Sequence, residues 1–213
     1  MIRENNKKEE TFNTITHSVG IIFGIIGLIL LLMVSIKEKN ITKIISFSIY
    51  GVCIIVMFLS STLYHSISTE KAKSILRVFD HASIFIFIAG TYTPIVTLTQ
   101  TGGLRVLLLV GIWAIALFGV VFKIFTYGKF DRYKGVSLAL YIGMGWIAIF
   151  LIRVIINATS INFFYWILAG GLLYTVGTIF YGNRKISLNH GIWHLFVLGA
   201  SVVHFVGIYF YLA

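Results

Sequence analysis

The sequence predicts an all-α integral membrane protein: a seven-transmembrane-helix bundle with its N-terminus cytoplasmic and its C-terminus outside. Three observations predict it. The 213 residues are 58% hydrophobic and only 11% charged, with a mean hydropathy of +0.95, which no ordinary soluble domain approaches. Apolar runs of the ~20 residues needed to cross ~30 Å of hydrocarbon occur at roughly 18–36, 42–64, 78–99, 104–126, 136–156, 162–181 and 190–212. The basic residues sit in the short connections between those runs, unevenly distributed between the two sides. The runs leave no room for a soluble unit, so residues 1–213 read as a single membrane domain.

Taken in order, the first fifteen or so residues are polar and charged, and the run at 18–36 carries no small-residue cleavage pattern, so it reads as a retained helix. Its Gly20 and Gly24 form a G-x-x-x-G, which in a chain with 20 glycines points to close helix packing. The second run holds Cys53, the only cysteine, which excludes an internal disulfide and any cysteine metal cluster. The third contains the single proline, Pro94, expected to kink or end that helix near the far surface. The fourth and fifth flank "KFDRYKG" at 129–135, read as a charged loop that signals topology. Tyr64, Tyr127, Tyr181 and Tyr209 at run ends read as interfacial aromatics.

Counting Lys and Arg in alternate connections sets the orientation. The side shared with the N-terminus holds Arg3, Lys7, Lys8, Lys71, Lys73, Arg77, Lys123, Lys129, Arg132, Lys134, Arg184 and Lys185, against Lys37, Lys39, Lys43, Arg105 and Arg153 opposite. A net charge of +10 distributed in this way points to anionic lipid headgroups at cytoplasmic loops and argues against nucleic acid.

With that topology, polar residues distant in sequence meet at one membrane depth. Ser61 and His65 in "SSTLYHS" close the second helix, Asp80 and His81 in "RVFDHAS" open the third, and His190 and His194 in "NHGIWHLF" open the seventh. Ser61/His65 and His190/His194 are i, i+4 pairs, which share a helix face. Three imidazoles with an open fourth position are the pattern of a catalytic zinc site. A metal there acidifies a bound water and polarises a carbonyl. Asp80 is then placed to hold or deprotonate that water, and Ser61 to donate a hydrogen bond or stabilise an oxyanion. His81 is rotated ~100° from Asp80 and does not share the ligand role, while His204 lies ~15 Å deeper than His194 at 1.5 Å per residue and reads as a buried hydrogen-bonding residue. His17 reads as interfacial or hydrogen-bonded.

"THSVG" with His17, "SSTLYH" with Ser61 and His65, "RVFDHASIFIFIAGTYTP" with Asp80, and "NHGIWHLFVLGASVVHF" with His190, His194 and His204 resemble the bacterial hemolysin III family over nearly the whole chain. That family groups with the progestin and adipoQ receptors, including the adiponectin receptors, and with membrane hydrolases that include alkaline ceramidases. The resemblance implies a seven-helix bundle in a bacterial plasma membrane, with Zn2+ near the cytoplasmic face held by His65, His190 and His194. It also implies a water between the metal and Asp80, and membrane lipid as substrate. The expected function is a zinc-dependent hydrolase of a lipid amide or ester in membrane lipid homeostasis. The alternatives are a membrane-state sensor with structural zinc, a pore-forming cytolysin and a haem protein.

Overall fold

The computed structural model describes residues 2–183 and 185–213, with side chains from Lys7 onward; Arg184 and the side chain of Arg3, both in the charge count, lie outside the described residues. Eight α-helices follow one another: α1 (Ile2–Lys37), α2 (Ile41–Ser66), α3 (Glu70–Thr99), α4 (Gly102–Phe125), α5 (Lys134–Gly145), α6 (Ile152–Ala158), α7 (Ile161–Gly182) and α8 (Asn189–Leu212). A 3₁₀ segment, Trp146–Leu151, joins α5 to α6, so these three pieces make one span, and the described residues hold seven spans long and apolar enough to cross a membrane. Among the described residues there is no β-strand. Turns of two to eight residues, which start from capping residues or left-handed positions, reverse the chain between spans. Asn40 and Ser160 accept hydrogen bonds from the Lys43 and Phe163 amides to start α2 and α7, and Lys39 and Leu188 take positive φ at the turns before α2 and α8.

The spans pack in sequence, α1 on α2, α2 on α3 and α3 on α4, while α7 packs on α8 and α8 returns to α1 to close the ring. Helix α3 also touches α5, α6 and α8 and is the most buried span. Its side chains Phe85, Phe87, Tyr92 and Ile95 form the core with Phe47, Phe58, Phe163 and Ile208. Outward faces are apolar: Phe125 and Phe150 are each 83% exposed, as expected where lipid tails and not water are the solvent. Gly20 and Gly24 meet Phe58 and Ile54 of α2, so this small-residue pair serves packing within the chain.

Three features differ from the expected spans. The first helix starts at Ile2, far before residue 18, because its polar opening turns belong to the bundle: Thr11, Thr14, Thr16 and Ser18 return their hydroxyls to carbonyls one turn back. Pro94 does not end α3, which runs on to Thr99. The fifth span is not one continuous helix over 136–156. The Tyr92 hydroxyl of α3 enters its ladder, accepting the Ala148 N–H at 2.7 Å and donating to the Gly145 carbonyl at 2.7 Å, and Trp146 Nε1 is drawn to Thr175 Oγ1 at 3.1 Å. A hydroxyl inserted into the ladder beside Gly143 and Gly145, both poor helix formers, accounts for the local 3₁₀ winding.

Candidate metal centre

At the end of the bundle where α2 stops and α3 and α8 begin, His65, His190 and His194 each present one ring nitrogen, and these atoms all lie within 4.8 Å of one another. The i, i+4 spacing on the first turns of α8 pairs His190 with His194, their ring centroids 4.6 Å apart. His65 faces them from the last turn of α2 at 5.1 and 5.0 Å.

Helix α1 fixes which nitrogen His65 and His194 offer. Glu10 Oε2 lies 2.7 Å from His65 Nδ1 while Glu10 Oε1 pairs with Lys73 Nζ at 3.0 Å. His65 therefore donates from Nδ1, and its Nε2 is left buried with no protein partner. His194 Nδ1 lies 3.3 Å from the Asn13 carbonyl and 3.3 Å from Thr16 Oγ1. It likewise donates from Nδ1 and keeps a free lone pair on Nε2. Two imidazoles held by acceptors on α1, each with Nε2 turned inward, present the orientation that a ligating pair requires.

Other polar groups at this depth are also unpartnered. His17, one turn beyond Asn13, stacks on His194 with centroids 3.5 Å apart and planes 19° apart. It is 4% exposed, and neither of its ring nitrogens has a hydrogen-bond partner, which corrects the expectation that it is interfacial or hydrogen-bonded. Asn13 Oδ1 is buried without a partner as well, and the buried Ser61 hydroxyl lies beside the Asp80 carboxylate. Buried polar atoms are almost always satisfied, so this concentration suits a site that a cation and its waters complete. Three nitrogen donors converge there, and the only cysteine, Cys53, is not among them.

The site opens on a cavity of about 260 Å³ walled by His17, Ser61, Asp80, His190 and His194 at one end. Apolar side chains such as Phe87, Ile95, Ile149 and Ile167 line its length. Its wall follows α3 from Asp80 to Ile95, ~22 Å at 1.5 Å per residue. Asp80 is 9% exposed and lies outside the three-imidazole cluster but on the same cavity. His81 turns away from the cluster: its Nδ1 donates to the Arg77 carbonyl at 2.8 Å and its ring stacks on Phe130. His204 donates from Nε2 to the Ile167 carbonyl at 3.0 Å, deeper along the same cavity. Sequence reasoning missed Glu10, Asn13 and the inward role of His17. Their i, i+3, i+7 spacing was the available signal, hidden in a segment read as charged overhang.

Comparison with known proteins identifies the family. Residues 5–205 match the family described as "Haemolysin-III related". The "Hemolysin-3 homolog" of Bacillus subtilis is 42% identical over 204 residues, which cover 96% of this chain and 94% of that protein. The "Hemolysin-3" of Bacillus cereus is 41% identical, covering 96% and 92%. The human "Monocyte to macrophage differentiation factor" is 32% identical over 212 residues, covering 96% and 84%. The chain belongs to the haemolysin-III related family, as its sequence resemblance implied, and is a multi-pass membrane protein.

Proposed function

For this haemolysin-III related membrane protein, we propose a zinc-dependent hydrolase that cleaves an amide or ester bond of a membrane lipid, with its site at the cytoplasmic side of a bacterial plasma membrane. The observation that carries the reading is the three-imidazole cluster opening onto a long apolar cavity that also holds a carboxylate and a hydroxyl. Three nitrogens with no cysteine suit a catalytic ion that keeps an open position. Bound there, a zinc ion would supply Lewis-acid polarisation and a water acidified to near neutral pH.

The chain's own groups divide the remaining work. Glu10 and the Asn13 carbonyl hold His65 and His194 in the tautomer that aims Nε2 inward. Asp80, buried on the cavity wall, takes a proton from the attacking water and returns it to the leaving group. Ser61, whose buried hydroxyl lines the cavity beside Asp80, donates to the developing oxyanion. The apolar channel receives the lipid chain and excludes bulk water. Lys71, Lys73, Arg77, Lys123, Lys129, Arg132 and Lys134 gather at this same end of the bundle, which supports a cytoplasmic face beside anionic headgroups.

The test pairs metal content with turnover. Detergent-purified parent is expected to carry about one zinc per chain and to hydrolyse a fluorescent lipid amide or ester. His194→Ala loses the metal and Asp80→Asn keeps it, and both lose turnover by a factor of at least ~100. A well-folded parent that takes up no metal when zinc is supplied, or turnover unaffected by His194→Ala, overturns the proposal. Since the cluster also joins α2 to α8, an Asp80→Asn protein that keeps metal, fold and cellular function would assign the ion a structural role in a membrane-state sensor instead.

A further inference from the structure

Beside the metal centre, the connection at 126–133 covers a second, smaller chamber. Phe130, from the "KFDR" stretch, is 5% exposed; its ring stacks on His81 and lies under both the Arg77 guanidinium, at 5.1 Å, and the Lys123 ammonium, at 5.6 Å. The loop is therefore docked, and it covers two cations. Lys123, on the last turn of α4, is 1% exposed. Its Nζ donates to Ser137 Oγ at 2.5 Å, and among the described residues it forms no ion pair. Arg77 reaches Asp131 with Nη2 at 3.0 Å but leaves its Nε buried without a partner. Between them lies a void of about 20 Å³, slightly more than one water needs. Its walls include His81, Tyr141 and Tyr181, which also line the large cavity, so the two spaces lie against one another.

A buried ammonium with a single neutral acceptor is costly unless an anion compensates it. Asp80, buried beyond His81, attracts both cations without an ion pair to either, and the one carboxylate lining the chamber is Asp131, 69% exposed, bridged to an Arg77 that is itself 32% exposed. Such a surface pair is weak and readily exchanged. Guanidinium plus ammonium, a planar fork beside a point charge, is the donor set that recognises phosphate oxygens.

We propose that Arg77 and Lys123 form a phosphate-binding subsite in this smaller chamber. It takes the phosphate of a lipid headgroup or free inorganic phosphate; the void as it stands admits only a water, so the anion enters as the exposed Asp131 carboxylate swings out and yields its place at Arg77. The proposal goes beyond the hydrolase reading and does not depend on it, because binding can be read without turnover.

The experiment is equilibrium binding to the full chain in neutral detergent. The probes are a short-chain phosphatidic acid and inorganic phosphate, with short-chain diacylglycerol as the uncharged control, and zinc content is checked in every variant. Parent protein binds phosphatidic acid in preference to diacylglycerol. Lys123→Met and Arg77→Gln weaken that binding by about tenfold or more, whereas Asp131→Asn tightens it several-fold by removing the competitor. Saturation by phosphate alone, with the same dependence on these variants, assigns the site to the free anion. Phosphatidic acid bound without competition from phosphate assigns it to the headgroup. Equal affinity for phosphatidic acid and diacylglycerol overturns the proposal, as does phosphate affinity indifferent to Lys123→Met. If Lys123→Met fails to fold, the surface change Asp131→Asn decides: unchanged affinity rejects the subsite.

Discussion

Replacing Glu10 with alanine removes the acceptor that holds His65 Nδ1–H, 2.7 Å away, and thereby the constraint that turns Nε2 toward its two partners. A hydrogen bond to a charged group is worth about 1.5–3 kcal/mol. Glu10 is 28% exposed and shares its carboxylate with Lys73, so screening and competition place the loss near the low end, about 1.5–2 kcal/mol. At 1.4 kcal/mol per tenfold, metal affinity falls about 10- to 30-fold, inside the range for residues that support ligating histidines. Glu10→Gln keeps an oxygen acceptor without the charge and falls between parent and alanine variant. Competition with a chromophoric zinc chelator measures the change, and a thermal melt of each metal-free protein controls for folding. Parent-like affinity in a folded Glu10→Ala protein would refute the tautomer argument, because His65 would then offer its nitrogen without help from α1.

Other perturbations test the scaffold. Tyr92→Phe strips the hydroxyl that serves Ala148 N–H and the Gly145 carbonyl, leaving buried backbone groups unpaired at a cost of about 1–3 kcal/mol. Hydrogen exchange at residues 145–151 should quicken, and parent-like protection there would mean the 3₁₀ segment is held by something else. Gly170→Ala places a methyl against the His204 imidazole. Overpacking of this kind costs about 1–3 kcal/mol, so the detergent melting temperature should drop while zinc content stays at the parent value. A melt superimposable on the parent's would show that the α7–α8 contact is slack.

The spans were legible because length and apolarity decide what crosses a bilayer, and those are sums over a window. The break in the fifth span was not, since its cause is a hydroxyl contributed by Tyr92 from α3, and a local window over 136–156 holds only the permissive Gly143 and Gly145. At the site, His65, His190 and His194 stood out because a histidine in an oily run is expensive, and spacing of four puts a pair on one face. Glu10 and Asn13 cost nothing to leave in water, so their sequence context gave no reason to bring them inside; only the three-dimensional position of α1 does so. Lys123 looked like one more topology charge, and its burial under Phe130 follows from a loop conformation that charge counting does not address.

The contacts that orient His194 come from Asn13 and Thr16, which lie 181 and 178 residues away along the chain. During synthesis the helix that steers this ligand is made well before the helix that bears it. The cluster cannot assemble before α8 has been made, so an ion held by all three rings would arrive only after α8 meets α1 and α2. An ion bound there would tighten only a bundle in which α1, α2 and α8 have already met.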